Sequence, residues 1–285
     1  MKKLEKIKKL LEANYNLKRR SHNYSPKTNK ELIELVDKMI NKYGYMVNLN
    51  KIDVSNIKDF KNVFYNKKIF NGDVSEWNVS NGLDFVHMFY GCDIFNCDLS
   101  KWDVSNGVEF GGMFYECEYF DSNLNKWGIS NGEKFYFMFG GCYRFNSDLS
   151  KWDVFNGTEF NGMFKYCNKF KSDLSDWSVT KAYSFKEMFY YCEKFNADLS
   201  KWDVSNGKEF IATFCNCEKF NADLSMWDVS NGESFSYMFY GAKLFNADLS
   251  KWDVSNAKNW IVFARKSLLE KYPERIPEKF RNDYL

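Results

Sequence analysis

The 285-residue sequence predicts an α/β repeat solenoid. Every 25 residues supply one short strand and one short helical turn, and helical caps close the ends. Three observations predict this. Tryptophan recurs at 77, 102, 127, 152, 177, 202, 227 and 252 without an insertion. Phenylalanine keeps the same interval in three more columns, running from Phe64 to Phe239, from Phe70 to Phe245, and from Phe85 to Phe235 with Trp260 closing the last. Within each unit the apolar spacing changes from alternation to helical periodicity.

Residues 1–27 read as a basic leader. Residues 1–30 hold ten Lys/Arg and two Glu, so the net +2 of the chain splits into +8 there and −6 over 31–285. Leu4, Ile7, Leu10 and Leu11 make one helical face, with three possible fates: docking on the solenoid, contact with an anionic membrane, or solvation. Glu5, Lys6, Lys8 and Lys9 interrupt any apolar stretch of the kind a signal peptide needs. No run approaches the roughly 20 apolar residues of a membrane-spanning helix. The chain is therefore expected in the cytoplasm, with the cell surface or secretion by a non-classical route as the alternative.

Residues 28–47 read as an N-terminal cap. Thr28 and Glu31 make a capping box. Leu32, Leu35, Val36, Met39 and Ile40 follow at helical spacing, and Gly44 stops a helix over 28–43. The repeat solenoid then occupies 48–256 in about nine coils. In the unit at 95–119, Trp102 and Val104 alternate with Lys101, Asp103 and Ser105, a period of two that predicts a strand. Asn106-Gly107 predicts a tight turn with positive φ. Phe110, Met113, Phe114 and Cys117 fall at i, i+3, i+4 and i+7, one face of a helical turn. Residues 257–285 read as a C-terminal cap. Trp260, Ile261, Phe263, Leu268 and Leu269 suggest a closing helix that Pro273 and Pro277 end.

The segments FNADLSKWDVSN at 195–206 and 245–256, and MFYGC at 88–92, resemble the BspA-like leucine-rich repeats. They are most similar to the 25-residue bacterial surface-protein repeat first described in mycoplasmas. The spacing of Met88, Phe89, Cys92 and Phe95 is similar to the A-F-x-x-C-x-x-L step of the treponemal-type repeats. The resemblance covers roughly 28–260 and implies a leucine-rich-like, right-handed coil. It also implies surface adhesion and host contact, but no reaction.

Chemistry-bearing motifs are sparse. Cys92, Cys117, Cys142, Cys167, Cys192 and Cys217 share one column. Stacked strands bring such neighbours toward disulfide range. Parallel side chains do not converge on a tetrahedral metal, however, and small buried hydrophobes are the expected role. His22 and His87 neither recur nor sit in a motif. P-loop, Rossmann and nucleophile-elbow patterns are absent. No metal and no cofactor are expected, and a net charge of +2 excludes a dedicated nucleic-acid binder. The second acidic column, from Asp98 to Asp248, reads as turn capping.

Two sets of binding candidates remain. Lys101, Lys151 and Lys201 precede the tryptophan, and Asp103, Asp153 and Asp203 follow it. They make either a self-neutralising solvated sheet or a polar groove for a protein or glycan. Tyr136, Phe137, Tyr166, Tyr190, Tyr191 and Tyr240 lie where the units vary, on the helical side. They make either a partner-binding strip or a shield over the aromatic core. The expected function is a non-enzymatic scaffold for protein–protein interaction. The alternative is a surface adhesin for host protein or glycan that leaves the cell without a signal peptide.

Overall fold

The computed structural model describes residues 24–284. The basic leader therefore lies outside the described residues for all but its last four positions.

The chain opens with helix α1 (Asn29–Tyr43). The Thr28 hydroxyl accepts from the Glu31 N–H at 3.2 Å, and the Glu31 carboxylate accepts from the Lys27 N–H at 2.7 Å. Leu32, Val36 and Ile40 turn inward, and Gly44 ends the helix at φ 85°. α1 covers the first repeat unit. Asn29 donates its side-chain amide to the outward carbonyls of Asp59 and Lys61, at 3.1 and 2.9 Å. Lys67 pairs with Asp37 at 2.6 Å.

Beyond α1 the domain is a repetitive stack with one continuous aromatic core. The tryptophan rings stack 6.4–6.5 Å apart and within 5° of parallel through the whole column. The Phe70 to Phe245 rings follow at 5.7–6.0 Å. The Phe64 to Phe239 rings follow at 5.0–5.8 Å. All these rings are buried. Burying aromatic area on this scale is the main driving force for the stack.

The backbone departs from the expected elements. No strand forms at Trp102–Val104 or its repeats. Among the described residues the parallel bridges within the stack are isolated ones: Asn48–Asp73 between the first two units, and a row beyond the Asn-Gly step running Asp59–Asp84–Glu109–Lys134–Glu159–Ser184–Glu209–Ser234–Asn259. From Trp77 onward the units are joined on the tryptophan side by side chains instead. Trp127 Nε1 donates to the Leu99 carbonyl at 3.0 Å, and Asn131 Nδ2 donates to the Ser105 carbonyl at 2.8 Å. The same pair of bonds recurs at Trp152 and Asn156.

The expected helical turn is also absent. Phe110, Met113, Phe114 and Cys117 are buried together as their spacing predicts, but on a run of i→i+3 turns: Met113 to Phe110, Tyr115 to Gly112, Cys117 to Phe114. The alternate N–H groups, of Phe110, Gly112, Phe114 and Glu116, donate to carbonyls of the following unit at 2.7–2.9 Å. An α-helix would spend all of these donors internally. Here half of them tie one unit to the next.

This arrangement places two residues of every unit in the left-handed region. One column runs from Asn62 through His87, Phe137 and Glu187 to Val262. The other runs from Asn66 through Glu116, Tyr166 and Tyr191 to Lys266. Gly107, by contrast, lies outside that region. Its role is close approach, because a Cβ there would stand 2.4 Å from Phe110 Cζ. The irregular unit supports this reading. Ala182 replaces the glycine, and Phe160 and Phe185 stand 6.3 Å apart, against 5.4 and 5.5 Å for the neighbouring pairs.

The C-terminal cap is built from three short 3-10 segments, Leu269–Lys271, Pro273–Arg275 and Glu278–Asp283, and not from one closing helix. Pro273 starts the second of them, which suits a residue with no N–H to offer. Phe280, Ile276 and Leu269 close the core. Tyr284 Oη accepts from the Ala264 N–H at 2.6 Å, and the Glu270 carboxylate accepts from Lys266 N–H at 2.8 Å. These two contacts satisfy donors that would otherwise seek a further unit.

Candidate functional site

The two sets of candidates occupy different parts of the unit. Lys101, Lys151 and Lys201 are exposed beside the tryptophan column. Lys101 pairs with Glu76 at 2.6 Å, and Lys151 lies 3.9 Å from Asp176. The aspartates that follow the tryptophan are engaged with their own backbone. Asp103, Asp153 and Asp203 each accept from the N–H two residues on, at 3.0–3.1 Å. The bonds from Ser105 hold the Asp103 carboxyl below its ordinary range. Asp98, Asp148 and Asp198 cap their turns in the same way. Both acidic columns are therefore turn caps, and Lys101 and Lys151 make exposed surface pairs of small energetic weight.

The aromatic candidates share the bridged side of the stack and are all half-buried. Tyr136 and Phe137 are seated on neighbouring units. A Cβ on Gly111 would stand 2.1 Å from the Tyr136 ring, and one on Gly162 would stand 2.2 Å from the Phe137 ring. These two rings fill positions that glycines leave open. Tyr166, Tyr190 and Tyr191 are brought together, with ring centroids 4.8–5.5 Å apart. Lys165 lies over the Tyr166 and Tyr190 rings at 5.5 and 4.9 Å and pairs with Glu187 at 2.5 Å. Burial pushes the Tyr190 phenol above its ordinary value, and nearby Cys215 and Tyr166 add to the effect. Tyr240 stands apart from this group, beside Tyr237 at 6.0 Å and beneath Lys266 at 4.9 Å.

Spacing alone missed Lys165. Its signal was a lysine in the column that carries Tyr90, Tyr115, Tyr190 and Tyr240. Tyr65, Tyr90 and Tyr115 form a second run, stacked at 4.8 and 4.9 Å.

A family model described as a Mycoplasma protein of unknown function, DUF285, matches residues 34–143, 110–197 and 183–270. The chain belongs to the DUF285 family. The three matches begin about three units apart, so the family repeat and the aromatic register of the stack coincide. No curated protein and no solved structure matches the chain.

In this DUF285 chain the cysteine column serves the stack. Each thiol is buried and donates to a carbonyl of the preceding unit, as Cys142 Sγ does to Phe114 at 3.0 Å and Cys167 Sγ to Phe139 at 3.1 Å. All eight cysteines are free thiols. Burial pushes the Cys92 thiol up to about 12 and that of Cys97 to about 11. Among the described residues no group of three or more His, Cys, Asp or Glu side chains is placed to hold a metal ion. No helix of the described residues is long and apolar enough to cross a membrane.

Proposed function

We propose that this DUF285 domain is a leucine-rich-like, right-handed coil of the BspA-like kind and serves as a non-enzymatic scaffold. On this reading it binds another protein in the cytoplasm through the bridged side of the stack. The observation that carries the reading is the cluster of Tyr166, Tyr190 and Tyr191 around the Lys165–Glu187 pair. These rings are half-buried and combine an apolar body with a polar tip, and the column of Tyr166 and Tyr191 changes from unit to unit. Such groups are enriched at protein interfaces. The lysine and aspartate columns support recognition less well, because their carboxylates are committed to local turns.

The test is affinity capture with the wild-type chain and with Y190A/Y191A, alongside thermal unfolding of both. A partner retained by the wild type and lost at least about tenfold by the variant, with Tm little changed, supports the reading. Equal retention of every partner discards the site. Digestion of the protein by protease added to intact cells contradicts the cytoplasmic part and favours the adhesin.

A further inference from the structure

The residue just before each Phe70-column phenylalanine changes character along the stack. It is Ile69, Ile94 and Tyr119 in the first units, then Arg144, Lys169, Lys194 and Lys219, and Leu244 in the last. Backbone bonds keep this column in register: Ile94 N–H donates to Lys68, Tyr119 N–H to Asp93 and Arg144 N–H to Glu118. Ile69 is 55% exposed and Tyr119 42%, so the first units carry an apolar stripe in water. Lys68 precedes the stripe's first residue, while Asp93, Asp98, Glu118 and Asp121 flank Ile94 and Tyr119, and Arg144 closes the end by lying over the Tyr119 ring at 4.1 Å.

We propose that this acid-flanked apolar stripe is the seat of the chain's own basic segment, residues 1–23. Three features of the pair match. Residues 1–23 hold eight Lys/Arg and two Glu, opposite in sign to the acidic residues beside Ile94 and Tyr119. The apolar residues Leu4, Ile7, Leu10 and Leu11 fall on one helical face. As a helix they span roughly 11 Å, close to the two unit steps of 5.9 and 6.0 Å beneath the stripe. The described chain begins at Tyr24, whose carbonyl accepts from Asp53 N–H in the first unit. That leaves a dozen residues between Leu11 and Tyr24 to reach the stripe. Arg144 and Lys169, which continue the column, are preceded by Tyr143 and Asn168 and repel the same segment.

Hydrogen–deuterium exchange on the full chain tests the proposal, read on peptides covering residues 1–23 and on the repeat body in one experiment. In the wild type the amides of residues 4–11 exchange at least about tenfold slower than free-peptide rates. In I94K/E118K, and separately in K6E/K9E, that protection is lost while the body keeps its own. The second variant lies in the segment itself and leaves the body's packing untouched. Free-peptide exchange in the wild type overturns the proposal. So does protection that survives either variant, or protection that appears only when vesicles of anionic lipid are added.

Discussion

Trp152 joins two roles in one side chain. Its ring stacks between Trp127 and Trp177, 6.4 Å from each, and its Nε1 donates to the Leu124 carbonyl at 2.9 Å. Trp152→Phe keeps much of the stacking area but removes the donor, and should cost about 1–3 kcal/mol. Trp152→Ala also leaves a cavity and should cost about 3–5 kcal/mol. Denaturant unfolding of the two variants measures both, and equal stability of wild type and Ala variant would remove the ladder's role. The thiols make a second prediction at this scale. Burial raises the pKa of Cys92 to about 12 and drives those of Cys117, Cys142, Cys167 and Cys217 well up. Such a group stabilises the fold fully below its unfolded value, and that contribution is lost as pH rises toward the folded value. The turn-capping aspartates act in the opposite sense. Hydrogen bonds from Ser100, Ser105 and Ser150 lower Asp98, Asp103 and Asp148 below 3.8. Their contribution is present above that value and is lost as pH falls through the lowered one. Tm should therefore be flat from about pH 5 to 8, falling below about pH 4 and above about pH 9. A Tm still rising at pH 10 would refute the buried thiol column.

At the scale of the element, the positive-φ columns explain both the strength and the weakness of the repeat. Glu116 sits at φ 59° with its side chain exposed. A left-handed non-glycine residue costs roughly 1–2 kcal/mol. The N–H groups that this geometry releases to the next unit repay the strain collectively. Glu116→Gly should therefore stabilise by about 0.5–1 kcal/mol. Glu118→Gly, exposed and outside the left-handed region, should destabilise by a similar amount. Thermal unfolding of the pair decides, and destabilisation by both would contradict the backbone description. These columns also mark the limit of what the sequence reveals. Burial of Phe110, Met113, Phe114 and Cys117 was legible, because aromatic and sulfur side chains at i, i+3, i+4 and i+7 have to share a face. The backbone beneath them was not. An α-helix and a run of alternating turns bury the same positions, and only some left-handed sites carry glycine, such as Gly112 and Gly162. The Asn-Gly step misled for the opposite reason, since its glycine makes room for a phenylalanine ring. In the candidate site, Tyr166, Tyr190 and Tyr191 were legible as tyrosines close to the positions that vary between units. Their gathering around Lys165 and Glu187 was not, because it depends on how two neighbouring units lie together.

Across the whole molecule, the spacing of the rings records how the stack is held. Tryptophan rings repeat at 6.4–6.5 Å where only side chains join the units. Phe64-column rings repeat at 5.0–5.8 Å, nearer the backbone bonds. The units are closer on the bridged side and open toward the tryptophans. Both ends are closed by dedicated contacts, from Asn29 at one and from Tyr284 and Glu270 at the other. Between these ends each unit touches only its neighbours, so stability is a sum of unit and interface terms. The central claim is that the 25-residue register alone carries the fold. Deletion of residues 203–227 joins Trp202 to Asp228 and restores every column. Deletion of residues 203–214 joins Trp202 to Cys215 and breaks every column downstream. Thermal unfolding of the two variants, followed by near-ultraviolet circular dichroism, tests the claim most directly. The whole-unit deletion should retain the aromatic signal and a single cooperative transition, and the half-unit deletion should lose both. Equal tolerance of the two deletions, or equal loss of structure in both, would contradict it.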